Sequence, residues 1–165
     1  MQNKKAWVYG FLTIFWGFEI FSFSAETADV SGDRSRAIAR AAAETLSFVL
    51  KKPLNSEDTV LFISHIIRKC AHMAEFAFLA VLVFLLIRSV NGRKMPYCAL
   101  FVTAAYAAAD ELHQMFVPGR GPAVSDVMID SCGAAVGILI IFFILKHWGD
   151  EHTPPVGDCF RRFSP

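Results

Sequence analysis

Charge of one sign is what this chain has least of. Sixteen Lys and Arg stand against fifteen Asp and Glu, a formal net charge of +1, so no global field points to nucleic acid and none is expected as a partner. Cysteine is sparse: Cys70, Cys98, Cys132 and Cys159 are far apart and form no CxxC pair. Neither a zinc ribbon nor a disulfide framework is indicated, and the four read as small apolar packing residues. The chain also lacks a Gly-rich phosphate loop, a GxGxxG turn and a serine in a nucleophile elbow. No internal repeat or low-complexity tract is visible.

Apolar surface is abundant instead. The 165 residues are 55% hydrophobic with a mean hydropathy of +0.43, which places a chain of one-domain length among membrane proteins. Four segments approach the roughly 20 apolar residues that a span requires: Trp7 to Phe23, His72 to Ile87, Tyr97 to Phe116 and Val127 to Trp148. None is clean, because Glu19, His72, Glu75, Asp110, Glu111 and Asp130 lie inside or at the ends. An ionisable group in a span is costly unless paired or hydrated, and so marks function. The expected fold is all-α, a small polytopic bundle of four transmembrane helices over residues 1–150, with a partly helical interfacial first loop (24–65) and a flexible polar tail (151–165). Lys4, Lys5 and Ser22-Phe23-Ser24 also resemble a signal peptide. Aromatic content and Glu19 favour a retained helix.

Within the first loop, Ser35 to Lys52 sets Ile38, Ala42, Leu46 and Val49 at helical spacing, as in a helix lying at the membrane surface. Pro53 stops it. Asn55-Ser56-Glu57-Asp58 then starts a helix whose pattern runs to Ile87, longer than a span, so that its first third protrudes or lies in the interface. Lys4, Lys5, Arg88, Arg93, Lys94, Lys146, Arg161 and Arg162 fall on one side of four spans, which makes both termini cytoplasmic and the opposite face extracytoplasmic. The seven cations of the first loop, Arg34 to Lys69, count against that orientation.

The polar residues are not scattered. Four alternating spans bring the start of the second, the end of the third and the start of the fourth to one face. Arg68, His72 and Glu75 share a helix face there; so do Asp110, His113 and Gln114, and so do Asp126 and Asp130. Below Asp130, Gly133 and Gly137 form a GxxxG that admits another helix closely. Arg68, Lys69 and Arg120 set three positive charges against the five negative ones of Glu75, Asp110, Glu111, Asp126 and Asp130. The excess is cancelled by a divalent cation, by protonated His72 and His113, or by protonated carboxyl groups. Asp110 and Glu111 oppose the helix dipole at a C-terminal end, which calls for a partner such as Arg68, Arg120 or a cation. Lys69 reads as a snorkelling anchor. His65, His147 and His152 read as interfacial or solvated, and Glu19 as either a site member or the top of its span.

Arg68-Lys69-x-x-His72-x-x-Glu75-Phe76, then Asp110-Glu111-x-x-Gln114-x-Phe116-x-Pro118-Gly119-Arg120, then Asp126, Asp130 and Gly133, resembles the VanZ-like family of bacterial membrane proteins over nearly the whole chain. Phe76 stands where members usually have Tyr, and Gly121-Pro122-Ala123 replaces a Ser-containing stretch. The family name comes from a protein associated with teicoplanin resistance, so the resemblance implies a role at the cell envelope, in the bacterial cytoplasmic membrane, without a settled activity. The expected ligand-binding set is Arg68, His72, Glu75, Asp110, Glu111, Gln114, Arg120, Asp126 and Asp130. Its expected ligand is a membrane lipid or lipid-linked envelope precursor with an anionic headgroup. A binding or protective protein, a metal-assisted enzyme acting on a lipid phosphate with His72, Glu75, Asp110, Glu111 or His113 as catalytic groups, and a small ion-coupled transporter all stand open.

Overall fold

Five helices make up the described part of the computed structural model, which covers residues 2–51, 53–54 and 56–149; no strand occurs among them. They are α1 (Gln2–Ser24), α2 (Ala28–Leu50), α3 (Glu57–Asn91), α4 (Pro96–Gln114) and α5 (Val124–Gly149). The expected tail, with Cys159, Arg161 and Arg162, lies outside the described residues.

The direction of each helix follows from its cross-contacts. Gly10 lies against Leu86 while Trp16 reaches Glu75 and Phe78, so α1 and α3 are antiparallel. Tyr106 bonds Gly17 and Asp110 bonds Ser24, so α1 and α4 are parallel. Gly133 meets Met73 and Gly137 meets Ala77, so α3 and α5 are parallel over that stretch. The four helices therefore run in the alternating sense of an up-and-down bundle, with a core of Ile20, Phe76, Leu79, Phe84, Ala107, Ala134 and Ile138. Phe76 is fully buried and tilts against the Tyr106 ring at 6.2 Å. Phenylalanine suits that position, since a tyrosine hydroxyl there needs a buried partner.

Three helices, α1, α3 and α5, are long and apolar enough to cross a membrane. The fourth expected span is α4, which falls short because Pro96-Tyr97 opens its 19 residues and Asp110-Glu111 closes them. The outer surface is strongly apolar. Trp7, Ile14, Phe18, Tyr97, Phe101 and Phe143 are all more than half exposed, an area of contact that hydrocarbon tolerates and water does not.

Helix α3 extends over 35 residues, about 52 Å, as its polar start predicts. Ser56 caps it by accepting the Thr59 N–H, and Glu57 and Asp58 occupy the first turn. Its first third packs against α2, where Ala39 and Ala43 meet Val60. The surface helix of the first loop differs from expectation in where it begins. It begins at Ala28, seven residues early, and it turns Gly32, Ser35, Ala39 and Ala43 inward. Ile38, Leu46 and Val49 are exposed. Small residues win the protein face because they let the helix approach α3 closely, which leaves the large apolar ones for the membrane boundary. The cysteines also differ from expectation: Cys70, Cys98 and Cys132 are exposed.

The tightest joint is α3 against α5. A Cβ on Gly133 would lie 2.2 Å from the Met73 carbonyl oxygen, and one on Gly137 2.2 Å from that of Ala77. Both obstacles are backbone, so the helices have to separate. Gly133→Ala and Gly137→Ala are each expected to cost about 1–3 kcal/mol, read as a lower thermal midpoint and folded yield in detergent. Gly121→Ala is the control, because a Cβ there meets nothing within 4 Å; an equal loss in all three variants would reject the close-packing account.

Candidate functional site

At one end of the bundle the start of α2, the first half of α3, the end of α4 and the start of α5 meet. They enclose a cavity of about 200 Å³. Helix α3 lines it with Arg68, Lys69 and His72, α4 with Glu111 and Gln114, the α4–α5 turn with Arg120, and α5 with Asp126 and Asp130. Seven of the nine expected site residues thus share one space. Glu75 faces a second cavity of about 250 Å³ between the end of α1, α2 and α3. Asp110 is 4% exposed and sits behind the first cavity. Arg68, His72 and Arg120 belong to both cavities.

Asp110 and Glu111 have neutral partners, contrary to the expectation of arginine or a cation. Asp110 Oδ2 accepts the Ser24 hydroxyl at 2.7 Å and the Gln114 amide at 3.1 Å. Glu111 Oε1 accepts the Ala123 backbone N–H at 2.6 Å. These bonds hold one oxygen of each carboxylate without an ion pair to a guanidinium, while Asp110 Oδ1 is buried with no hydrogen-bond partner among the described residues. Lys69 is more than an anchor: it pairs with Asp126 across the mouth of the cavity. His72 Nδ1 stands 4.0 Å from Glu75 Oε2, too far for a hydrogen bond. His113 turns away and stacks at 4.2 Å on Phe21, which takes it out of the stripe expected with Asp110 and Gln114. His65, read as solvated, is exposed yet stands at the rim. Glu19 has no hydrogen bond or ion pair to a described residue.

Counted on the lining of the first cavity alone, the charges balance: three cations face Glu111, Asp126 and Asp130. The excess of acid seen in sequence came from Glu75 and Asp110, which lie outside that lining. Among the described residues no three His, Cys, Asp or Glu side chains are grouped to hold a metal ion.

The two arginines are the unusual element. Arg68 reaches only the Ser35 hydroxyl, at 3.3 Å, and neither Arg68 nor Arg120 has a carboxylate oxygen within ion-pair distance among the described residues. The Nε of each is buried without a hydrogen-bond partner among the described residues. Burial and the neighbouring Arg68 push the Arg120 pKa below the ordinary guanidinium value, although the group stays a cation. Two like charges held together and incompletely bonded are poised for an anion.

The turn that carries Arg120 is built for its place. Gly119 has φ +77°, a left-handed conformation that favours glycine, and a Cβ there would lie 2.9 Å from the Ala28 Cβ. The adjacent Pro118 carbonyl accepts the Ala28 N–H at 3.3 Å, which docks the turn on the start of α2. Ser24 and Ser35, each bonded to a site residue and buried, were not singled out as site residues in sequence. Their signal was slight, a serine at the end of one apolar helix and another in an alanine-rich one.

The VanZ/LLP1 family model matches residues 9–146, which includes every residue of both cavities. No curated protein and no solved structure matches the chain. The order of the motifs, the all-helical bundle with its apolar exterior and the extent of that match agree: this chain is a membrane protein of the VanZ/LLP1 family.

Proposed function

We propose that the protein is a four-span envelope protein that binds the anionic headgroup of a membrane lipid or lipid-linked envelope precursor between Arg68 and Arg120, and that this binding underlies protection of the envelope against glycopeptides of the teicoplanin type. The observation that carries the reading is the pair of guanidinium groups whose buried Nε atoms have no hydrogen-bond partner among the described residues, at the junction of two cavities. Guanidinium forks match phosphate and carboxylate oxygens in geometry as well as charge. Three of the neighbouring acids, Asp110, Glu111 and Asp126, take their hydrogen bonds from Ser24, Gln114, Ala123 and Lys69 and not from the arginines.

Several features support four crossings with the site facing out of the cell. Lys4, Lys5, Arg88, Arg93, Lys94 and Lys146 lie at the bundle end opposite the cavity, and Lys94 reaches the Phe142 ring of α5 at 5.8 Å there. Basic flanks of that kind stay cytoplasmic. Helix α4, about 28 Å long at the α-helical rise, shares the alternating direction of its neighbours, and its polar end is the site itself.

Single cysteines at positions 2, 94 and 121, placed in a background without native cysteine, test the topology. Positions 2 and 94 are expected to be labelled from the cytoplasm and position 121 from outside; labelling of 94 and 121 on the same side would reject four spans.

Arg68→Ala and Arg120→Ala are each expected to weaken binding of phosphatidic acid about 10- to 100-fold, the value of a charged hydrogen bond, while folded yield is kept because no carboxylate loses its partner. Lys69→Ala is the contrast, since it strips Asp126 of its ion pair and lowers yield. If Arg120→Ala instead lowered yield and left binding and glycopeptide protection intact, the arginines would be structural.

A further inference from the structure

The two cavities that share Arg68, His72 and Arg120 are unlike each other. The first is lined almost as much by polar as by apolar surface, the second mostly by apolar surface. Phe23 from the end of α1, Ile38 from α2, and Ile67 and Ala71 from α3 supply its apolar wall, Glu26 and Glu75 also line it, and it shares the guanidinium pair with the first cavity. Across its rim, Arg34 of α2 bonds Glu26 at 2.8 Å and lies over the Phe23 ring at 5.7 Å. A site for a free anion has no use for a second chamber of this composition. A lipid has, because its phosphate needs cations and its first methylenes need a dry wall. The chamber is also at the right depth, where α1 ends and where α3 passes from its protruding third into the bundle.

Resting on the headgroup reading above, we infer that the second cavity is the passage for the lipid's hydrocarbon chain. The ligand enters sideways from the membrane between α1 and α2, its phosphate is held by Arg68 and Arg120, and its polar remainder projects into the first cavity. A third cavity, about 280 Å³ and nearly all apolar, lies between α1 and α4 at Gly17, Thr103 and Tyr106. It is separated from the arginines by the Tyr106–Gly17 and Ser24–Asp110 hydrogen bonds, so it does not serve the same headgroup.

The test uses the full chain in phosphatidylcholine nanodiscs with two probes, dioleoyl phosphatidic acid and glycerol 3-phosphate, each titrated and followed by phosphorus NMR. Ala71→Phe and Ile38→Trp fill the chamber from opposite walls at exposed positions. Each is expected to weaken phosphatidic acid at least 10-fold and leave glycerol 3-phosphate unchanged. An equal loss of both probes would make the chamber part of the headgroup site and overturn the inference. So would unchanged phosphatidic acid binding, or a selective loss caused by Thr103→Leu in the α1–α4 cavity. Failure of the underlying reading looks different: wild-type protein does not bind glycerol 3-phosphate, or Arg120→Ala binds both probes as wild type does.

Discussion

Everything at the site depends on the contact of α5 with the backbone of α3 at Gly133 and Gly137. In a bilayer the hydrophobic effect does not drive helix against helix, so close approach and van der Waals contact must do it. Two absent side chains, one helical turn apart, bring α5 onto the carbonyls of Met73 and Ala77. That contact sets Asp130, three residues before Gly133, beside His72, one residue before Met73. Lys69 and Asp126, a further turn up each helix, then meet as an ion pair. The polar cluster is the open end of a packed seam.

Within the cluster, the partners that Asp110 and Glu111 take decide what the arginines can do. Had Asp110 and Glu111 paired with Arg68 and Arg120, the site would be closed and structural. Ser24, Gln114 and the Ala123 N–H take those acids instead. Neutral donors cost less to bury than a second ion, and they leave the positive groups available.

Much of this was legible in the sequence, for identifiable reasons. Spacing along a helix is a local property, so the stripes of Arg68, His72 and Glu75 and of Asp126 and Asp130 could be read directly. GxxxG and the Ser56 start are local as well. The VanZ-like motif order placed the family. What escaped needed a second segment to be seen. Asp110 meets Ser24 across 86 residues of chain, and no spacing rule announces such a pair. Helix α2 was legible as a surface helix from the spacing of Ile38, Leu46 and Val49, which are exposed, but its packing face of Gly32, Ser35, Ala39 and Ala43 was not, because small residues make no apolar stripe. Helix α4 shows the limit of hydropathy, since the residues that make it the wall of a site also lower its apolarity below that of the other three.

The uninterrupted course of α3 ties the geometry outside the bundle to that within it. Its outer third carries α2, its middle carries Arg68 and His72, and its last half is core. No proline or glycine interrupts its residues, so the segment has no hinge in its sequence. One residue inserted near Ala71 would rotate the outer arm by about 100° and lift it about 1.5 Å, carrying Arg68 off the face on which His72 remains. The helix is therefore a ruler as much as a scaffold, tolerant of substitution along its lipid face and intolerant of any change in its length.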